Sequence, residues 1–202
     1  MKRKTFDSVL SLGGVVLTVV LLIAGGLLMW GYTFANGQVH NQLAMQQISF
    51  PTQAQLAQAK AGSEVTPAMV PYLEPYAGQP VLTGPQAETY ADHFIANHLA
   101  AMPYGGVYSQ VSAASRANPN DATLKAEVQT VFQGTTLRGL LLEAYAFGKF
   151  GQIALIASIC SFALAGVMLL LSFLGFVHLR RVRPEEEIFT SDHPIRELVG
   201  IH

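Results

Sequence analysis

The chain has 202 residues, of which half are apolar and only 12% are charged. That charged share is about half of the share usual in soluble proteins, which indicates that part of the chain is solvated by lipid. A formal net charge of −1 leaves no basic excess that would attract nucleic acid, and the single cysteine, Cys160, excludes disulfide frameworks and metal sites that need paired thiolates.

Two uncharged apolar runs are each long enough to cross a membrane as a helix. They cover residues 8–30 and 151–177, and a helix needs about 20 residues to cross the hydrocarbon core. We assign the first transmembrane helix to residues 8–32 and the second to residues 151–178. A cleaved signal peptide is the alternative for the first run, but the apolar part of a signal peptide has only about 7–15 residues.

Basic residues close to the two apolar runs predict the orientation of the chain. The positive-inside rule places residues 1–7 and the tail 179–202 in the cytoplasm, and residues 33–150 outside, in a multi-pass protein of the plasma membrane. The basic residues that decide this are Lys2, Arg3 and Lys4 before the first run and Arg180, Arg181 and Arg183 after the second.

Neither apolar run contains an ionisable residue, which argues against a self-sufficient channel, pump or transporter. Both runs carry small residues at helical spacing, and such residues let helix backbones approach closely in lipid. Two interpretations stay open: the two stripes pack on each other, or one of them docks on a helix of a partner. The stripes consist of Gly14, Thr18 and Gly25 in the first run and Ala154, Ala157, Ser161 and Ala165 in the second.

The residues between the runs predict helices and no strands. The first membrane helix is expected to continue outward to about Ile48, followed by a proline-rich irregular connection over residues 51–84 with short helical turns. Amphipathic spacing predicts a helix over residues 85–101 and a shorter one over residues 107–117. Asn118 is the expected N-cap of a last helix that runs almost into the second membrane segment.

These elements predict an all-α protein. We expect a two-transmembrane helical hairpin whose helices extend into an extracytoplasmic α-helical domain.

No residue pattern in the chain predicts catalysis, a metal site or a cofactor. His93 and His98 are five residues apart and therefore diverge on a regular helix, while Glu88 and Asp92 are interpreted as a solvated face. Adding His40 could in principle build a three-ligand site, but a solvated or hydrogen-bonded histidine is the favoured interpretation for each of the three. The motifs of hydrolases, nucleotide-binding proteins and metalloproteases are missing from the sequence. We therefore expect a protein that is not an enzyme and has no cofactor.

Three segments carry a resemblance to a known family: QVHNQLAMQQISFP at 38–51, TGPQAETYADHFIANHLAAM at 83–102, and residues 108–155. Together with the two apolar runs they resemble uncharacterised two-pass membrane proteins of actinobacteria. The resemblance implies the same topology and no established activity. Some members are labelled aromatic ring-opening dioxygenases, but such enzymes hold a non-haem iron with histidine and carboxylate ligands, for which the spacings here supply no set.

The leading hypothesis is a non-enzymatic accessory or scaffold subunit that packs against a larger membrane complex, with membrane lipids and other membrane subunits as partners. A respiratory assembly is one candidate. The second hypothesis is a membrane-anchored binding module or sensor for a lipid or small apolar ligand, and the third is a metal-dependent enzyme that uses the histidines. The candidate pocket of the second hypothesis is lined by Tyr90, Phe94, Tyr104 and Phe132.

Overall fold

The computed structural model describes residues 3–181, and within that range it is helical, with one isolated β-bridge between Ser49 and Pro80. The predictions made for Lys2, Arg183 and the tail beyond residue 181 lie outside the described residues. A π-helix over Tyr90–Ile95 joins two of the α-helices, and 3₁₀ turns cover Glu74–Tyr76 and Pro103–Gly106. The α-helices are α1 Arg3–Gln46, α2 Gln53–Ala57, α3 Val70–Leu73, α4 Gly84–Thr89, α5 Ala96–Ala100, α6 Tyr108–Ala117 and α7 Ala122–Leu179.

Two of these helices, α1 and α7, are long and apolar enough to cross a membrane. Only 17% of the most apolar window of each is buried inside the protein, whereas a core helix of a soluble protein is mostly buried. Both helices also continue well beyond the predicted spans, to Gln46 in α1 and from Ala122 in α7. The expected continuation of the first helix beyond its apolar run and the joining of the last helix to the second apolar run are confirmed.

The described chain forms two compact units, which we call the first and the second unit. The first unit contains the described parts of Met1–Leu28 and Ile156–His202, and the second contains Met29–Leu155. In the first unit, α1 and α7 pack together and turn large apolar side chains outward, for example Leu22, Ile159 and Leu170, each about half exposed. A surface of this composition suits a hydrocarbon solvent.

The second unit has a hydrophobic core that gathers residues from distant parts of the chain. Val39 and Leu43 of α1 are each 5% exposed, and they pack in one cluster with Leu141 of α7. The proline-rich connection contributes to the same core. Its buried members are Leu56, Val65, Met69, Leu73 and Val81, and Phe50, directly before the connection, is buried in the same core.

Two short helices of the second unit begin with the same capping arrangement. The hydroxyl of Thr52 caps α2, and Gln55 returns a side-chain contact to the Thr52 backbone; Thr83 and Gln86 do the same for α4. Each pair satisfies backbone N–H groups that a helix start leaves without partners. The Thr83 cap fixes where the irregular connection ends and the helical segment of residues 84–100 begins, while the Thr52 cap begins a short helix within that connection.

The cap predicted before the last helix was wrong by three residues. Asp121, not Asn118, accepts hydrogen bonds from the backbone N–H groups of Thr123 and Leu124, at 2.9 and 3.0 Å. Asn118 instead ends α6, where its side chain donates to the Ala114 carbonyl. A carboxylate placed before the first turn interacts more favourably with the helix dipole than an amide does, which accounts for the choice.

The helix predicted over residues 85–101 is confirmed, but its middle is not α-helical. We call α4, the π-helix and α5 together the 84–100 helix, because the backbone stays helical through both junctions, at Thr89 and at Ala96. A π turn adds a residue to the helical repeat, so that the directions of the side chains after Tyr90 differ from those of a regular helix.

Candidate functional site

The two small-residue stripes face each other within the first unit. Thr18 and Ala165 are 4% and 1% exposed, and a Cβ added at Gly25 would lie 2.8 Å from the Phe162 ring. Ser161 donates a hydrogen bond to the Leu21 carbonyl at 2.7 Å. Of the two interpretations of the stripes, mutual packing is the one these contacts support.

Serine residues that the sequence analysis did not single out complete this contact. Ser158 is fully buried and donates to the Gly25 carbonyl at 2.8 Å, while Ser172 lies against Gly14 and Ser11 against Gly175. The serines at 158 and 172 share a helix face with Ala165, at spacings of seven. That spacing was visible in the sequence and would have identified them. Ala154 and Ala157, which were predicted, are only half-buried.

The structure brings two of the four predicted pocket residues together. Tyr90 and Phe94 have ring centroids 4.7 Å apart, and Phe50 meets Tyr90 edge-on at 5.5 Å. Tyr104 and Phe132 are each about half exposed. None of the four predicted residues lines the groove between α1 and α7, so that groove is not the predicted pocket.

The three histidines have separate surroundings. His93 stacks flat on Tyr72, with ring centroids 3.6 Å apart, and the Nδ1–H of His98 points to the Phe94 carbonyl oxygen at 2.7 Å. His40 is exposed on α1. Within residues 3–181, no group of three histidine, cysteine or acidic side chains is placed to hold a metal ion.

The acidic side chains of the 84–100 helix interact with residues of α7, so the interpretation of Glu88 and Asp92 as a solvated face was wrong. Asp92 accepts a hydrogen bond from the Arg138 guanidinium at 2.6 Å. The Glu88 carboxylate raises the pKa of Tyr145, because a carboxylate acceptor and its negative charge both favour the neutral phenol. Burial likewise raises the pKa of Tyr90.

Glycines let the 84–100 helix approach α7 closely. A Cβ added at Gly134 would lie 2.8 Å from a methyl group of Leu99, and one added at Gly84 would lie 3.3 Å from the Tyr145 backbone. Together with the Asp92–Arg138 pair, these close approaches dock a short helix along one face of α7.

A second face of α7 borders an open groove of about 320 Å³, formed within the second unit by α1 and α7. Its floor is apolar, since Val39, Leu43 and Leu141 are each 5% exposed or less. One wall of the groove is polar and the other is apolar. Its lining residues are Gln38, Val39, Gln42, Leu43, Gln46, Ile48, Leu137, Leu140, Leu141, Glu143, Ala144 and Phe147.

One wall is polar because α1 presents Gln38, Gln42 and Gln46 at intervals of four residues, which places the three amides on one helix face. The other wall is apolar, with Leu140 59% and Phe147 43% exposed. Among the described residues, the lining contains one charged side chain, Glu143. The groove can therefore offer apolar contact, amide hydrogen bonds and one negative charge.

Comparisons with protein-family models, with curated proteins and with solved structures find no match. The resemblance to two-pass actinobacterial proteins stays a prediction.

Proposed function

We propose that this chain is a non-enzymatic accessory subunit of the plasma membrane, which holds another membrane protein through its second unit. The single observation that carries the proposal is the open groove, where apolar side chains such as Leu140 and Phe147 remain exposed beside a well-packed core. When a partner covers apolar surface that was exposed to water, the complex is stabilised by about 25 cal/mol per Å² of that surface. A respiratory assembly stays one candidate for the larger complex.

The proposal includes a two-pass topology, with both termini in the cytoplasm and a helical domain outside. The basic residues beside the two apolar runs support this orientation. Because Cys160 is the only cysteine, a Cys160→Ala chain gives a clean background for labelling. In that background we expect a membrane-impermeant maleimide to label Gln58→Cys in intact cells and Thr5→Cys only after lysis. The reverse pattern would reject the orientation.

Purification from native membranes in mild detergent, followed by mass spectrometry, tests the subunit role. We expect at least one other membrane protein to co-purify in a constant ratio. The variant Leu140→Glu should lose it, because a carboxylate would enter the apolar wall, while Thr135→Glu on another face of α7 should retain it. A chain that always runs alone, or only with itself, contradicts the proposal.

A ligand-binding module is the second candidate function, and the size of the groove favours it. Small-molecule sites commonly measure about 300–1,000 Å³ and combine apolar walls with a few polar groups. We expect a bound lipid to be extracted from the purified full chain and to be lost in Leu140→Glu. Equal lipid content in the Leu140→Glu and Thr135→Glu variants would reject this candidate.

A further inference from the structure

The second unit already shows how α7 binds a helix. The 84–100 helix lies against Gly134, Arg138 and Tyr145, which recur at intervals of about one or two turns. Close approach is allowed by glycine, and the position along the helix is set by one ion pair, in which Asp92 meets Arg138 at 2.6 Å. An apolar contact with a single charge pair is therefore the means by which this chain holds a helix.

On another face of α7, the groove offers an apolar contact and one charge, and its described lining contains no glycine. Leu140 and Tyr145 are five residues apart, so their side chains point about 140° away from each other around the helix axis. The groove-side face has apolar contact from Leu140 and Phe147 and one charge from Glu143. In the described chain, no cation lines the groove to pair with that carboxylate.

The dimensions of the groove also suit a helix. Its walls run from Gln38 to Gln46 on α1 and from Leu137 to Phe147 on α7, which corresponds to about 12–15 Å of helix. A helix of about 8–10 residues covers that length. The three glutamine amides on α1 can donate to or accept from polar side chains at the edge of such a helix.

We propose that the groove receives a helix of a partner membrane protein, with an apolar face against Leu140 and Phe147 and a lysine or arginine opposite Glu143. The proposal rests on the subunit role proposed above and assigns the contact surface for it. Helix-in-groove recognition of this kind is common, and a charge pair at the edge of an apolar contact sets the position and orientation of the bound helix.

The test replaces Leu140 with the photo-reactive residue p-benzoyl-phenylalanine in the full chain, in cells that produce it natively. We expect a cross-link that maps to a helical segment of another membrane protein, with a lysine or arginine within one turn of the cross-linked residue. The same photo-reactive residue in place of Thr135 should give no such product. Cross-links at position 140 to lipid only, to a second copy of this chain, or to a segment without a cation would overturn the proposal.

Charge variants then test the assigned pair. Glu143→Lys should lower the cross-link yield about tenfold, Glu143→Gln by a smaller factor, and reversal of the partner's cation should restore the yield in Glu143→Lys. Glu127→Lys, on the same helix but outside the groove, is the matched control and should leave the yield unchanged. An unchanged yield in Glu143→Lys would overturn the proposal.

Co-purification measured on the same samples separates the two proposals. If the complex is recovered while position 140 gives none of the expected cross-links, the groove assignment is wrong and the subunit role stands. If the unsubstituted chain runs alone, the subunit role is wrong as well.

Discussion

Gly106 ends the turn between the 84–100 helix and α6, and replacing it with alanine should destabilise the second unit more than the same replacement at its neighbour Gly105. Both glycines have left-handed backbones, with φ of +67° and +61°. They differ in their surroundings. A Cβ at Gly106 would overlap the Leu99 carbonyl oxygen and lie 2.8 Å from its carbon, whereas nothing lies within 4 Å of a Cβ at Gly105.

The expected magnitudes follow from these two terms. A non-glycine residue in the left-handed region costs about 1–2 kcal/mol, and this cost applies to both substitutions. The overlap at Gly106 involves backbone atoms of Leu99, which cannot rotate away as a side chain can, and we expect it to add about 1–3 kcal/mol. Gly106→Ala should therefore cost about 2–5 kcal/mol of unfolding free energy, and Gly105→Ala about 1–2 kcal/mol.

Pulse proteolysis of the purified full chain across a urea series measures this difference, because the protease cuts the unfolded second unit and spares the folded one. The Gly105→Ala variant is the matched control for the backbone term. Equal losses in the two variants would show that the close approach to Leu99 does not contribute to stability, and the packing of this turn against the 84–100 helix would have to be reconsidered.

Three further predictions follow from named contacts. Ser158→Ala should weaken the packing of the first unit by about 0.6 kcal/mol in a detergent-unfolding assay, whereas Ser172→Ala should have little effect because its buried hydroxyl has no hydrogen-bond partner among the described residues. Glu88→Gln should lower the pKa of Tyr145 towards its usual value near 10, measured as phenolate absorbance against a Tyr145→Phe reference. Since the folded-state pKa of that tyrosine is raised, its contribution to stability is present below about pH 10 and is lost as the pH rises through the folded value. Asp92→Asn should cost about 0.5–1 kcal/mol at low salt and less at high salt, because the ion pair it breaks is partly exposed; an equal cost at both salt concentrations would contradict this account.

The sequence alone predicts the long helices well because their signals are local. Residues 33–46 contain no proline and place Val39 and Leu43 on one face, which is sufficient to extend the first apolar helix to Gln46. The end of that helix is equally local, since Gln47 has a left-handed backbone shortly before Phe50 and Pro51. The position of the last N-cap was missed because Asn118 and Asp121 both suit a cap, and local preference does not decide between them.

The parts of the site that the sequence could not predict depend on contacts between distant residues. Asp92 and Arg138 are 46 positions apart, so neither periodicity nor spacing connects them. The π-helix that re-aims the side chains from Tyr90 onward has no local signal either, because a π turn needs tertiary contacts to offset its poor geometry. Of the groove, the amide row on α1 and the apolar row at Leu137, Leu140 and Phe147 on α7 each follow a helical spacing in the sequence. The sequence does not show that the two rows border one groove.

The location proposed for recognition follows from the solvent proposed for each unit. In lipid, exposed leucine and isoleucine give no net drive for association, because the lipid tails that compete for them are equally apolar. In the first unit, the contact between α1 and α7 already uses Ser158 and Ser161, which donate to carbonyls of α1. In water the hydrophobic effect does favour association. Covering an apolar side chain such as Leu140, which is 59% exposed, lowers the free energy of the complex. If residues 33–150 lie outside the membrane and the chain is a subunit, both as proposed, the hydrophobic effect favours the groove as the surface that a partner covers.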